Sequence, residues 1–229
     1  MTSALAWVVI CAAGAGERLG GARPKAFAAL AGRPLLAESL ERLEDCESIE
    51  GIVVSAPPNW EEAAILLSEE LGCGKVSAVV GGGRERGESV RLALAEIPQD
   101  ADFVLVHDAA RPLVSEEVVR RVLEPLEQGW DAVVPALPLA DTVKRVEEER
   151  VIETLERNSL VAVQTPQAFR AEVLRAAYAG EHDEVTDCAA LVERQGGRVL
   201  WVEGDRRLHK VTTPEDLALI ESWLIKERR

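Results

Sequence analysis

The chain has 229 residues, 47% hydrophobic and 29% charged, with a formal net charge of −14. That length and composition suit one large α/β domain with a sizeable core. The negative balance excludes a non-specific binder of nucleic acid or anionic membrane, so positive charge that meets an anionic ligand must be placed locally.

The first apolar run, Leu5–Cys11, reads as a buried strand of a parallel sheet. Ala12-Ala-Gly-Ala-Gly16 follows, with Arg18 and Pro24-Lys25 close behind. Small residues let a backbone approach a ligand with its N–H groups bare, and such a nest binds anions. Arg18 and Lys25 add full positive charges, and together these features predict a polyphosphate cradle. A dinucleotide fingerprint is excluded because the third glycine position is Leu19. A Walker loop is excluded because Lys25 follows Pro24 and precedes Ala26. A mere tight turn accounts for the glycines but not for the two cations.

Gly32-Arg33-Pro34 opens a helix with Leu36, Leu40 and Leu43 on one face, proline taking the first helical position. A strand at Gly51–Ser55, a helix around Trp60–Leu71 and a strand at Val76–Val80 continue an alternation that calls for a parallel, helix-covered sheet. Ligands of such sheets lie beyond the carboxyl ends of the strands. Gly81-Gly-Gly-Arg-Glu-Arg-Gly-Glu-Ser89 is a second glycine loop before a helix through Leu92 and Leu94. Ser89 suits either a helix cap or a contact to base or sugar, and three consecutive glycines favour ligand contact.

The strand Asp102–His107 ends in His107-Asp108, with Arg111 just beyond. Asp108 is placed to hold a sugar hydroxyl or Mg²⁺, or to pair with Arg111 and order the loop. His107 faces the opposite side and reads as structural. Ser115 caps a helix that ends at Gly129, and Ala132–Leu137 is the next strand. From Pro138 to Val163 the alternation stops. Asp141–Val146 and Val151–Leu155 read as two strands joined by the turn Glu147–Arg150. A protruding hairpin with so few apolar residues is not stable alone and is predicted to pack on another subunit.

A helix around Ala171–Tyr178, a second ending at Gly196-Gly197, a strand at Arg198–Val202 and a last helix capped by Thr213 complete the chain. Lys210, in a loop on the ligand side, gains weight from its place. Cys11, Cys46, Cys73 and Cys188 form no C-x-x-C pair, which argues against a metal or disulfide role. The N-terminal run is too short for a signal peptide or membrane span, so a cytoplasmic location is expected.

Taken in order, Ala12-Ala-Gly-Ala-Gly-Glu-Arg18 with Pro24-Lys25, Gly82-Gly83 with Arg86 and Ser89-Val90, His107-Asp-Ala-Ala-Arg-Pro112, Asp141-Thr-Val-Lys144, Arg157 with Thr165-Pro-Gln167, Val185-Thr-Asp187 and Lys210-Val-Thr-Thr-Pro-Glu-Asp216 resemble the 2-C-methyl-D-erythritol 4-phosphate cytidylyltransferases. Pro-Lys-Ala-Phe and Leu208-His209 depart from the Pro-Lys-Gln-Tyr and Asn-Ile common there. The resemblance implies one nucleotidyltransferase domain over residues 1–229, Rossmann-like and GT-A-like, with a dimerisation arm near 138–163. It implies a homodimer whose arm reaches the neighbour's site, with CTP, Mg²⁺ and methylerythritol phosphate as ligands. By the match, Arg18 and Lys25 stabilise the transition state, while Lys210 and the neighbour's Arg157 position the attacking phosphate. Ala12, Ala13, Gly14, Gly16, Gly82 and Ser89 hold the nucleotide. Asp108, Arg111, Thr142, Thr165 and Thr186 hold erythritol, ribose or metal, the Mg²⁺ riding mainly on the CTP phosphates with Asp108 as its one candidate protein ligand. A ribitol-phosphate or other sugar-phosphate nucleotidyltransferase shares most of these motifs, and a non-catalytic nucleotide-binding subunit is the alternative of another class.

Overall fold

The computed structural model describes residues 5–20, 23–180 and 187–227. β1 (Ala6–Cys11) is a β-branched run whose Val8, Val9 and Ile10 are fully buried, as suits a strand covered on both faces. The hairpin β2 (Ala29–Leu30) and β3 (Arg33–Pro34) turns through Ala31 and Gly32, both at positive φ, which is the two-residue turn that matches strand twist. Because Pro34 is extended and paired in β3, it stands just before α1 (Leu35–Glu44) rather than as its first residue. Leu36, Leu40 and Leu43 form the buried face of α1 as expected.

β4 (Ile49–Ala56), α2 (Glu61–Glu70), β5 (Val76–Gly81), α3 (Arg86–Leu94) and β6 (Phe103–Asp108) complete the parallel half of the sheet. β1 lies between β4 and β6, parallel to both, and β5 flanks β4. α4 (Glu116–Glu127) starts at Ser115, whose hydroxyl accepts the Val118 N–H, and leads to β7 (Ala132–Pro138). The hairpin that follows is β8 (Lys144–Glu147) with β9 (Arg150–Thr154), a separate two-stranded sheet with every residue exposed. The first strand begins three residues later than the sequence pattern suggests and the second one residue earlier: Glu148 takes positive φ, the turn tightens to two residues, and Thr142 falls outside the pairing.

Two short strands depart from the expected alternation. β10 (Val161–Val163) and β11 (Gln167–Arg170) are antiparallel insertions, β10 against β7 and β11 between β6 and β7. Gln167 pairs with Val106, so the segment entering β11 runs beside the carboxyl end of β6. After α5 (Ala171–Tyr178) and α6 (Cys188–Arg194), β12 (Val199–Glu203) joins the far side of β7 in parallel, and α7 (Pro214–Glu227) closes the described chain. The sheet is thus mixed but mostly parallel, with a large apolar cluster on each face. A third cluster packs Leu30, Leu113 and Val211 against Ile220 and Leu224 of α7. Thr213 and Asp216 cap α7 reciprocally, each accepting the other's N–H. Among the described residues no helix is long and apolar enough to cross a membrane.

Candidate active site

The site begins where β1 stops. The Ala12 N–H still bonds the Ser55 carbonyl, at 2.9 Å, but the N–H groups of Ala13, Gly14 and Ala15 donate to no described residue. Bare successive amides at a strand end form an anion cradle. Gly16 has φ 73°, and a Cβ there would lie 2.6 Å from the Cβ of Lys25, so only glycine lets the loop close on that lysine. Two residues on, in the same short turn as Lys25, Phe27 buries its ring against Trp60 with centroids 4.7 Å apart and anchors that turn. Lys25 is held down to about 8 by burial first, then by repulsion from Lys210 and Arg18, which Asp108 only partly offsets. Arg18 itself stands exposed in the short turn Glu17–Leu19.

The second glycine loop packs on the first. A Cβ at Gly82 would lie 2.2 Å from the Cβ of Ala13, and the Gly82 N–H is spent on the Ala56 carbonyl at 2.8 Å. Ser89 is not the cap of α3. Its hydroxyl accepts the Gly83 N–H at 3.1 Å and donates to the Glu85 carbonyl at 3.0 Å, stitching the loop to the helix that follows it.

Asp108, at the carboxyl end of β6, organises the cations. Oδ1 accepts from Arg86 Nε at 3.0 Å and Oδ2 from Lys210 Nζ at 2.6 Å. Burial alone would raise its carboxyl, but Arg86, Lys210 and Arg111 outweigh burial and hold it well below the usual carboxylate range. Its ion pairs run to Arg86 and Lys210, while Arg111 donates to the Leu208 carbonyl at 2.6 Å and thereby tethers the loop that carries Lys210. His107 is structural, as its strand position suggests. Nε2 lies 3.1 Å from the Arg111 carbonyl, so that nitrogen carries the proton, and Nδ1 accepts from the Thr165 hydroxyl at 3.2 Å. Burial pushes its pKa down to about 4. Thr165 also accepts the Asp108 N–H at 3.0 Å, so its hydroxyl holds the end of β6 in place.

Two cavities meet at this carboxylate. One, of about 330 Å³, is lined by Ala12–Ala15, Lys25, Gly83, Ser89 and Asp108. The other, of about 230 Å³, is lined by Arg111, Gln164, Thr165, Gln167 and Asp187. Arg86, Asp108 and Lys210 belong to both and form the wall between them. The structure therefore brings Ala12, Ala13, Gly14, Ser89, Lys25, Asp108, Arg111, Thr165 and Lys210 together, with Gly16 and Gly82 supporting from behind. Thr142 and Arg157 lie outside both cavities, at the base of the hairpin, where Arg157 donates to the Ala140 carbonyl. Thr186 lies outside the described residues.

Arg86, Gln167 and Asp187 lie inside the sequence motifs but have no individual role assigned there. Arg86 is a cation inside a glycine loop of an acidic protein, a signal in itself, whereas the places of Gln167 and Asp187 in the site emerge only once β11 is seen beside β6. Among the described residues no three His, Cys, Asp or Glu side chains converge, and both oxygens of Asp108 are already engaged by cations. The protein groups alone do not make a metal cage.

The family model described as 2-C-methyl-D-erythritol 4-phosphate cytidylyltransferase (IspD) matches residues 6–226. A protein of that name from Frankia casuarinae is 48% identical over 220 residues, covering 95% of this chain and 80% of its own. One from Saccharopolyspora erythraea is 46% identical, covering 94% and 97%. Among solved structures, the 2-C-methyl-D-erythritol 4-phosphate cytidylyltransferase of Thermus thermophilus is 35% identical with a TM-score of 0.78, covering 95% of this chain and 98% of that one. The 4-diphosphocytidyl-2C-methyl-D-erythritol synthase of Anaerococcus prevotii is 26% identical with a TM-score of 0.83, covering 97% and 99%.

Proposed function

The chain belongs to the 2-C-methyl-D-erythritol 4-phosphate cytidylyltransferase family, and from that premise we propose how it moves a cytidylyl group from CTP to methylerythritol phosphate, a step of isoprenoid precursor synthesis. CTP occupies the larger cavity, its base and ribose against the two glycine loops and its triphosphate on the free amides of Ala13–Ala15. The acceptor occupies the smaller cavity, its polyol facing Arg111, Thr165 and Gln167. An oxygen of the acceptor phosphate attacks the α-phosphorus of CTP, the bond to the β-phosphate breaks opposite, and pyrophosphate leaves.

Both reactants are anions, so the chain's task is alignment and positive charge rather than proton removal. Lys25 and Arg18 take the charge that develops on the departing pyrophosphate. Lys210 holds the attacking phosphate, joined by Arg157 from the arm of a second copy, since in one chain Arg157 stands outside both cavities. Magnesium would ride mainly on the triphosphate and supply positive charge there, with Asp108 the one candidate protein ligand among the described residues. The observation that carries this reading is the wall of Arg86, Asp108 and Lys210 common to two adjoining cavities, which is where two phosphates must meet.

The test is pyrophosphate release with CTP and Mg²⁺, comparing methylerythritol phosphate with ribitol 5-phosphate. Release with methylerythritol phosphate alone is expected; release with ribitol phosphate alone overturns the acceptor assignment. Mixed dimers of Arg157→Ala and Lys25→Ala chains are expected to recover activity that neither variant has by itself. Verified mixed dimers without recovery refute the swapped arm.

A further inference from the structure

The acceptor phosphate needs Lys210, yet Lys210 is bonded to Asp108. A buried carboxylate that gives up its counter-ion is left unpaired, which is costly, and it also repels an arriving phosphate. Something must neutralise Asp108 while Lys210 turns to the substrate. Arg86 is built for this. Its Nε bonds the other carboxylate oxygen, and its Nη1 donates to Cys188 Sγ at 3.3 Å. The Tyr178 hydroxyl also contacts that sulfur, at 3.2 Å, so α5 and α6 brace the guanidinium from behind. The Arg86 side chain is 24% exposed against 40% for Lys210. One partner of Asp108 is therefore braced by α5 and α6, and the other is the more exposed of the two. Arg86 Nη2 is also buried with no partner among the described residues, so the guanidinium keeps donor capacity at the wall shared by the two cavities.

We infer that Arg86 is a positioning residue, the standing counter-ion of Asp108 that releases Lys210 to bind the acceptor phosphate. This rests on the functional reading above and adds to it a residue that acts through a carboxylate rather than on substrate. Arg86→Gln leaves Lys210 as the remaining ion-paired partner of a buried carboxylate, and the lysine stays there.

The experiment is a double-mutant cycle on the full chain, with methylerythritol phosphate binding read by calorimetry and KM and kcat by pyrophosphate release. Arg86→Gln is expected to weaken methylerythritol phosphate by roughly tenfold or more, the scale of one lost charge-assisted hydrogen bond. In the Asp108→Asn background the same change is expected to cost less than about twofold, because no carboxylate then competes for Lys210. Arg86→Lys, which keeps the charge, restores most of the affinity. Equal losses in both backgrounds, no loss in either, or failure of Arg86→Lys to recover more than Arg86→Gln would overturn the inference. If Arg86→Gln does not fold, the double variant, which removes both members of the buried pair, is compared with Asp108→Asn: equal affinity supports the inference and weaker binding overturns it. Absence of turnover by the wild-type chain refutes instead the functional reading on which it rests.

Discussion

Gly82→Ala tests the contact between the two glycine loops. The added Cβ would lie 2.2 Å from the Cβ of Ala13, 3.0 Å from Ser55 Oγ and 3.1 Å from the Ala56 carbonyl. Ordinary contact begins at 3.4 Å, so the loops must separate by 3.4 − 2.2 = 1.2 Å. None of the three obstacles is the far end of a flexible side chain, and the Gly82 N–H bond to Ala56 ties the loop down. Overpacking of this kind costs about 1–3 kcal/mol, and in a chain of this size each kcal/mol lowers Tm by about 2–4 °C. The functional loss is larger. Ala13 carries one of the free amides, and a displacement of about 1 Å in a positioning group costs roughly a hundredfold in turnover. Melting, CTP calorimetry and kcat/KM measure the three effects. Gly87→Ala, only five residues on but with its nearest neighbour 4.0 Å away on the Tyr178 ring, is the control and should stabilise α3 by about 0.5–1 kcal/mol. A Gly82→Ala chain that melts and turns over like wild type would refute the loop contact.

Ser89→Ala removes the acceptor of the Gly83 N–H and should cost about 1–3 kcal/mol of stability, with weaker CTP binding by calorimetry and no change in acceptor KM at saturating CTP. Lys25, lowered to about 8, is partly neutral in the free protein above that pH. Triphosphate favours its charged form, so CTP affinity should fall as pH rises through 8, and calorimetry in two buffers near pH 8.5 should show proton uptake on binding. Because the folded pKa lies below the unfolded 10.5, the burden of a charged buried lysine is present below about pH 8 and disappears as pH rises toward 10.5. His107 falls from 6.5 to about 4 on folding, so the folded state binds fewer protons in that window and stability drops as pH falls through it. The loss reaches ~3 kcal/mol near pH 4, measured by urea melts, and His107→Gln should largely remove it.

What sequence made legible were features encoded locally. Ala6–Cys11 and Phe103–Asp108 carry short β-branched apolar runs bounded by turn residues, the pattern of a buried strand, and Gly16 and Gly82 announce close approaches. β10 and β11 were hidden because strands of three and four residues carry too little pattern, and β11 opens on a polar Gln167 just after Pro166. Missing them hid the reason why Thr165 stands beside Asp108. Ser89 read as a cap or a ligand contact, since nothing local shows that its hydroxyl turns back to Gly83. The partners of Asp108 come from positions 86 and 210, and only the closed fold chooses them over nearby Arg111.

The cluster under α7 gathers Leu30, Leu113 and Val211, which follow Lys25, Arg111 and Lys210 in the chain. Polar links reinforce it: Glu221 accepts the Ala31 N–H, and Glu227 accepts from both Arg42 and Arg207. During synthesis β1, β4 and β6 leave the ribosome well before this helix does. A nascent chain can therefore pair β1, β4 and β6 while the segments bearing its reactive cations are still unanchored. Assembly of the phosphate-handling centre is thus tied to the docking of α7 and not to the first glycine loop alone.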